Sequence, residues 1–240
     1  MSADGLLAGR TYAIAGAGGA LGPHVARALL AQGANVALAD RSVEHLAAVV
    51  VGLPGERVHV DGVDLLDAAD AERWAQAAAR RFGAVDGLLH LVGGWRGGTP
   101  LAEAPDEDWT VMHDLAVRTT QHASRAFRGQ LADAGARGRF LIVSSLQAQR
   151  PSGKNAAYAA AKAAAESWTL ALADDLKGTG ATANVVVINA LVTPEQREAA
   201  PEKPFKSFQR VEHVAATLAF LCSDAAGSMS GQRVVLAGAH

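Results

Sequence analysis

The chain has 240 residues, a formal net charge of −2 and a hydrophobic fraction of 50%. That length and apolar content suit one large α/β domain over residues 1–240, and a near-neutral balance with no basic stretch argues against a nucleic-acid surface. No apolar run reaches the length of a membrane span. No charged start, apolar run and cleavage site mark a signal peptide, and the single Cys222 has no partner for an internal disulfide, which suits a reducing, cytoplasmic setting.

In chain order, apolar patterning alternates strands with helices. Residues 10–15 read as a short strand, 21–32 as a helix, 35–40 as a strand, 42–51 as a helix, 56–60 as a strand and 68–82 as a helix charged on one side. A buried strand over 86–92 runs into a glycine-rich loop at 93–98. A long helix over 105–131 opens with Asp106, Glu107 and Asp108, acids that suit a helix N-terminus. Residues 139–144 read as a strand, 155–177 as a long helix, 182–188 as a strand, 211–223 as a helix and 232–237 as a last strand. This order implies a doubly wound Rossmann-type three-layer sandwich, a parallel sheet of about seven strands with helices on both faces. Such sheets bind ligands beyond the carboxyl ends of their strands, which points to the segments starting near Gly16, Asp40, Gly93, Ser144 and Ile188.

The first strand runs into Gly16-Ala17-Gly18-Gly19-Ala20-Leu21-Gly22 and then a helix. Glycines there let the backbone approach a pyrophosphate, and the helix N-terminus offers free N–H groups. Asp40, at the end of the second strand, stands where a carboxylate would accept both ribose hydroxyls and repel the extra phosphate of NADP. The neighbouring Arg41 pulls the other way, and capping of the next helix is the alternative role for Asp40. NAD(H) is the expected cofactor, NADP(H) the lesser alternative.

Tyr158 and Lys162 are four apart on a helix and share a face. A neighbouring ammonium would stabilise a phenolate and so equip the tyrosine for proton transfer. Alone the pair reads equally as helix surface; Ser145, at a strand end thirteen residues before Tyr158, adds a hydroxyl to hold a substrate oxygen.

Together Ser145, Tyr158 and Lys162 resemble the short-chain dehydrogenase/reductase family, and the resemblance covers nearly the whole chain. Asp64-Leu65 resembles its adenine-contacting segment, Trp109 the tryptophan opening its long helix after strand four, residues 184–193 its sixth-strand segment and Ser230-Gly231-Gln232 its C-terminal Thr-Gly-Gln. The resemblance implies that Ser145, Tyr158 and Lys162 are catalytic. It also implies a cofactor held by Gly16, Gly18, Gly19, Ala20, Leu21, Gly22, Asp40, Arg41, Asp64, Leu65, Val92, Gly93, Gly94, Tyr158, Lys162, Leu191 and Thr193. Trp95 and Gln147 become candidate substrate contacts, and no metal is expected. Four places depart from the family pattern: Ala20 replaces a glycine, His90-Leu91-Val92-Gly93 replaces Asn-Asn-Ala-Gly, Ala116 replaces the relay Asn, and Ile188-Asn189 replaces Pro-Gly.

The loop Gly93-Gly94-Trp95-Arg96-Gly97-Gly98 resembles the Gly-Gly-Trp-x-Gly-Gly segment of dihydropteridine reductases, which share the Gly-Ala-Leu-Gly of residues 19–22 and lack the relay Asn and the Ser. Trp95 would then stack on a flat heterocycle; as the alternative it anchors the loop. The expected activity is NAD(H)-dependent hydride transfer to or from a carbonyl, alcohol or imine-like carbon. The alternatives are quinonoid dihydropteridine reduction and, in another class, a cofactor-binding scaffold or sensor, for which Ala116 and the altered segment at 90–93 argue. His90 and His113 read as structural, Arg80 and Arg81 as a solvated helix face, and Arg96 as a loop charge. The Tyr158 helix is small or apolar on nearly every side, which implies a second subunit in a homodimer or homotetramer. Residues 194–208, rich in proline and charge, read as a mobile lid.

Overall fold

A computed structural model of the chain describes residues 5–236. Seven parallel strands form the central sheet: β1 (Thr11–Ala15), β2 (Asn35–Asp40), β3 (Val58–Gly62), β4 (Gly87–His90), β5 (Arg139–Ser145), β6 (Thr182–Ile188) and, last in the chain, β9 (Arg233–Val235). Their order in the sheet is β3-β2-β1-β4-β5-β6-β9, so successive crossovers run outward in both directions from β1 and β4. The crevice above that reversal is where a doubly wound sheet takes its ligand.

Helices cover both faces. On one side lie α1 (Gly22–Ala31), α2 (Val43–Val49) and α8 (Val211–Cys222); on the other lie α3 (Ala68–Phe82), α5 (Thr119–Asp133) and α6 (Ala156–Asp175). The alternation of side chains along β1 and β2 makes the faces unequal. Tyr12, Ile14, Val36 and Leu38 fill the α1 side, whereas Ala13, Ala15, Ala37 and Ala39 line the α3 side. The alanines leave room there for two large rings, Trp74 and Phe127, which pack edge to face at 4.8 Å.

The expected fold stands, with shifted boundaries. The strand read at 56–60 is a tight turn, Gly55–Arg57, followed by β3. Of the last expected strand, β9 holds three residues, and Ala237 lies outside the described residues. The long helix read at 105–131 is α4 (Asp106–His113), a wide turn of π type at Asp114–Arg118, and α5, which continues to Asp133. Thr119 and Thr120 follow that turn and donate their hydroxyls to the carbonyls of Leu115 and Ala116, both at 2.7 Å. The segment after β6, which includes the expected lid at 194–208, carries short elements of its own. β7 (Ala190–Val192) pairs in parallel with β8 (Phe208–Arg210), and between them α7 (Pro194–Ala199) starts with a capping box from Thr193 and Gln196. Elements this short give no periodic signal in the sequence.

Candidate active site

The loop after β1 is set by its backbone. Gly16 has φ +74°, and a Cβ there would come within 2.8 Å of the Val92 amide nitrogen, so the loop passes flush against the segment that leaves β4. The Gly16 and Ala17 amides both donate to the Ala39 carbonyl, at 2.9 and 3.0 Å. No side chain caps α1 and its first turn carries no acid; the Gly22, His24 and Val25 amides bond to the carbonyls of Gly19 and Leu21 and Pro23 has no N–H, so the helix end meets an anion chiefly through its positive dipole. Ala20 is exposed, and its methyl group stands clear where a glycine was expected.

Asp40 is fixed at the edge of this loop. Its Oδ2 accepts from the Gly18 amide at 3.1 Å and its Oδ1 from the Ser42 amide at 3.2 Å. The cap of α2 is Ser42, whose Oγ accepts from the His45 amide at 3.1 Å. Asp40 therefore does not serve as the cap, and its carboxylate faces the cleft beside Arg41.

The cleft has two arms that share Gly16, Gly19, Leu91 and Gly93. One, of about 170 Å³, runs between Asp40, Arg41, Asp64, Leu65 and Val92. The other, of about 280 Å³, runs between Ala20, Leu21, Gly94, Tyr158, Lys162 and Leu191. A dinucleotide fits this arrangement residue by residue: an uncapped helix end at the bend, a carboxylate in one arm, and an ammonium and a phenol in the other.

α6 supplies Tyr158 and Lys162, and the end of β5 supplies Ser145. The Ser145 hydroxyl is buried behind the lining of both arms, accepts from the Gln147 amide at 3.2 Å and keeps its own proton for the Tyr158 side of the site. Burial raises the Tyr158 phenol above its ordinary value, and the Ser145 hydroxyl acts in the opposite direction. Lys162 donates to the Val143 carbonyl at 2.9 Å. Burial lowers its ammonium to about 8, against the raising influence of Glu166 one turn on.

Not every expected residue reaches the cleft. Trp95 is 59% exposed and lies beside the backbone of Gly97 and Gly98, outside both arms. Its loop is tied to the start of α6. The Gly98 amide donates to the Lys154 carbonyl at 2.7 Å, and a Cβ on Gly97 would fall 2.5 Å from Asn155 Oδ1. The Gln147 side chain is likewise outside both arms, its Oε1 accepting from the Ser152 amide at 3.1 Å. Gly18 and Thr193 border a neighbouring cleft on the other side of the phosphate loop, and Gly22 is buried at the head of α1. His113 stacks on Trp109, and Arg80 and Arg81 are exposed, as read from sequence. Among the described residues no group of three or more His, Cys, Asp or Glu could hold a metal, and no helix is long and apolar enough to cross a membrane.

Sequence reasoning missed Ser144, Asn189 and Thr119. Ser144 lines the Tyr158 arm with a buried hydroxyl that has no partner, a donor and acceptor well placed for a ligand. Asn189 lines the same arm while its Nδ2 donates to the Ser207 carbonyl at 3.1 Å, and Thr119 lines the other arm. The adjacency Ser144-Ser145 at a strand end was the available signal for the first of these.

Comparison with known proteins agrees with this geometry. A family model described as Enoyl-(Acyl carrier protein) reductase matches residues 16–238. A short-chain type dehydrogenase/reductase of Picea abies is 29% identical over 91% of this chain and 87% of its own. A 2,3-dihydro-2,3-dihydroxybenzoate dehydrogenase of Bacillus subtilis is 31% identical over 78% of this chain and 71% of its own. Among solved structures, a 3-ketoacyl-(acyl-carrier-protein) reductase from Brucella melitensis, complexed with NADH, superposes with a TM-score of 0.86 at 25% identity over 97% of this chain and 98% of that one. With its seven-stranded parallel sheet and this coverage, the chain belongs to the short-chain dehydrogenase/reductase family, whose members are NAD(P)(H)-binding oxidoreductases.

Proposed function

We propose that the protein is an NAD(H)-dependent oxidoreductase that moves hydride to or from a carbonyl, alcohol or imine-like carbon, with Tyr158 as the general acid and base. The observation that carries this reading is the cleft itself: Tyr158 and Lys162 line one arm, and the other arm ends on the Asp40 carboxylate. The bound nicotinamide supplies the hydride. Ser145 donates its free proton to the substrate oxygen, and Tyr158 transfers a proton to that oxygen as negative charge develops on it. Because burial raises the phenol, Tyr158 is protonated and ready to act as an acid at neutral pH. The Lys162 ammonium, still charged at neutral pH, stabilises the phenolate that results and can reach the cofactor ribose. In oxidation the same groups act in reverse.

NADH preference rests on Asp40. Two amides hold its carboxylate in the cleft, and a 2′-phosphate brought there would meet like charge. The small residues Ala160, Ala164 and Ala171 form an exposed stripe along α6, beside a shallow groove bordered by Trp168, Arg125 and Leu172. A second copy of the chain is proposed to cover this face, and sedimentation velocity reads whether it does.

The test is NADH oxidation followed by absorbance, with a 3-ketoacyl thioester, simple ketones and diketones, and a quinonoid dihydropterin as substrates. Tyr158→Phe is expected to lower turnover by about 1000-fold while NADH binding stays within about threefold, since the aromatic ring remains. Turnover of the pterin alone would assign the dihydropteridine activity. NADH binding with no Tyr158-dependent turnover of any substrate would favour the scaffold reading.

A further inference from the structure

One buried ionisable side chain beside the site has no part in that chemistry. His90 ends β4, and its side chain lies under α5, only 3% exposed. Its Nδ1 is 3.4 Å from the Thr120 hydroxyl. Thr120 already donates its single proton to the Ala116 carbonyl at 2.7 Å, so towards the ring it can only accept. Nδ1 must therefore carry the imidazole proton, and Nε2 presents a lone pair. That Nε2 is buried and has no hydrogen-bond partner. Folded proteins meet such an acceptor with a side chain or a buried water.

Lys162 is the cation whose charge acts on this ring. In the parallel pairing of β4 with β5, His90 lies opposite Ile142, and the carbonyl of the next residue, Val143, takes Lys162 Nζ at 2.9 Å. An ammonium has three N–H groups, and this bond uses one. The lysine charge acts on the ring: burial, with Lys162 second, lowers His90 to about 3, which keeps the imidazole neutral and an acceptor at every working pH. We propose that His90 is a positioning residue for Lys162, its Nε2 accepting through one bridging water a hydrogen bond from the ammonium, with Thr120 fixing the tautomer that makes this possible. In the wide turn before α5, Ala116 offers only its carbonyl, and that carbonyl is taken by Thr120.

The other groups around Lys162 do not duplicate this role. On its own helix Glu166 is buried and bound through Oε2 to Arg233 of β9 at 2.6 Å, and Tyr158 precedes it by one turn. From the wide turn, Asp114 pairs with Arg118 and lies beside His113. β5 contributes the hydroxyls of Ser144 and Ser145. Of the acids opening α4, Asp106 and Glu107 are exposed and Asp108 is half-buried.

The consequence for catalysis rests on the oxidoreductase reading, but the anchor can be tested without turnover. In protein labelled with 15N-histidine, with His90→Gln identifying the signal among eight histidines, His90 is expected to be the neutral Nδ1–H tautomer. Its Nε2 shift should follow the ionisation of Lys162, with a midpoint at about 8, and the step should vanish in Lys162→Met. An Nε2–H tautomer, or a shift that ignores Lys162→Met, overturns the proposal whatever the protein catalyses. Where turnover is measurable, His90→Leu should move the basic limb of kcat/KM down by about one pH unit, a tenfold change in lysine ionisation. His90→Gln, which keeps an amide at the reach of Nε2, should restore the limb, and Thr120→Val, which leaves the ring in place, should move it part of the way. An unmoved limb in both His90→Leu and Thr120→Val also overturns the proposal.

Discussion

The two ends of the central sheet both bury charge, and they satisfy it to different degrees. At the amino end Arg139 is fully buried, and although its Nε, like Thr182 Oγ1, has no partner, its terminal nitrogens reach three carbonyls: those of Ala136 and Gly138, both at 2.8 Å, and that of Ser223 at 3.1 Å. Around it Arg10 makes two 2.7 Å bonds to Asp224, Tyr12 donates to the Cys222 carbonyl at 2.9 Å, and Asp86 accepts from the Thr11 amide at 2.8 Å. At the carboxyl end polar groups are left over. Lys162 has one bond, while Ser144 Oγ, His90 Nε2 and Glu166 Oε1 are buried without a partner. A largely satisfied network clamps strands and helices together. An unsatisfied one holds groups ready for a ligand, at a cost in stability that the rest of the fold carries.

Lys162→Met should separate the ends most sharply. Turnover is expected to fall by about 1000-fold, because no ammonium remains to stabilise the phenolate. Stability should move the other way: the wild-type ammonium is buried with a single direct bond, so its removal should raise Tm at neutral pH by about 3 °C. A Tm that falls instead would mean that Lys162 is structural cement like Arg139. The reciprocal change is Arg139→Ala. It leaves three carbonyls without their donor and a cavity beneath β5, which should cost about 3–5 kcal/mol, or about 10 °C in Tm. NADH affinity of the folded protein should stay within about twofold, since the cleft lies at the far end of the strands. Calorimetry and a fluorescence titration on the same samples read both numbers.

The contrast between the ends also explains what could be read beforehand. All seven strands of the sheet and the covering helices were legible from their apolar runs, with shifted boundaries, and Ser145, Tyr158 and Lys162 stood out because their types and spacing resemble a family pattern. Asp40 was legible as the acid ending a strand, though its alternative as a cap fell only when Ser42 was seen to do that work. Arg139 read as nothing more than the first residue of a strand, since its role depends on carbonyls as far away as Ser223. His90 read as structural because its chemistry depends on a register with β5 and on a wide turn whose sole trace is the pair Thr119-Thr120. Trp95 and Gln147 were misplaced because loop contacts at Gly97, Lys154 and Ser152, with no periodicity behind them, decide where their side chains go.

Within the cleft, Asp40→Ala sharpens the division between the two arms. Loss of the carboxylate removes ribose acceptors and like-charge repulsion together, so the ratio of NADPH to NADH dissociation constants should fall by about 30-fold, or about 2 kcal/mol. Tyr158-dependent chemistry with saturating cofactor should change little, as Tyr158 lines the other arm. A ratio that does not move would transfer the selectivity to Arg41, which borders the same arm.

The smallest effect is a slope. His90 is lowered by burial from 6.5 to about 3, and Lys162 from 10.5 to about 8. Both are bases whose folded values lie below their unfolded ones, so in each window the unfolded chain binds more protons than the folded one. Stability must therefore rise with pH from about 3 to 6.5 through His90 and from about 8 to 10.5 through Lys162. The full slope for one such group is about 1.4 kcal/mol per pH unit. At the amino end the paired Asp224, lowered by its bond to Arg10, contributes a slope of the same sign, but only below its ordinary value of 3.8. Glu44, Glu195 and Glu212, each lowered from 4.5, add a slope of the same sign below that value, so denaturant midpoints taken between about pH 5 and 6 isolate the carboxyl end. There His90→Gln should flatten the curve while Arg139→Ala lowers it without changing its slope. A wild-type curve already flat in that range would mean that the His90 ring takes up its proton in the folded protein, and that the carboxyl end is less dry than its burial implies.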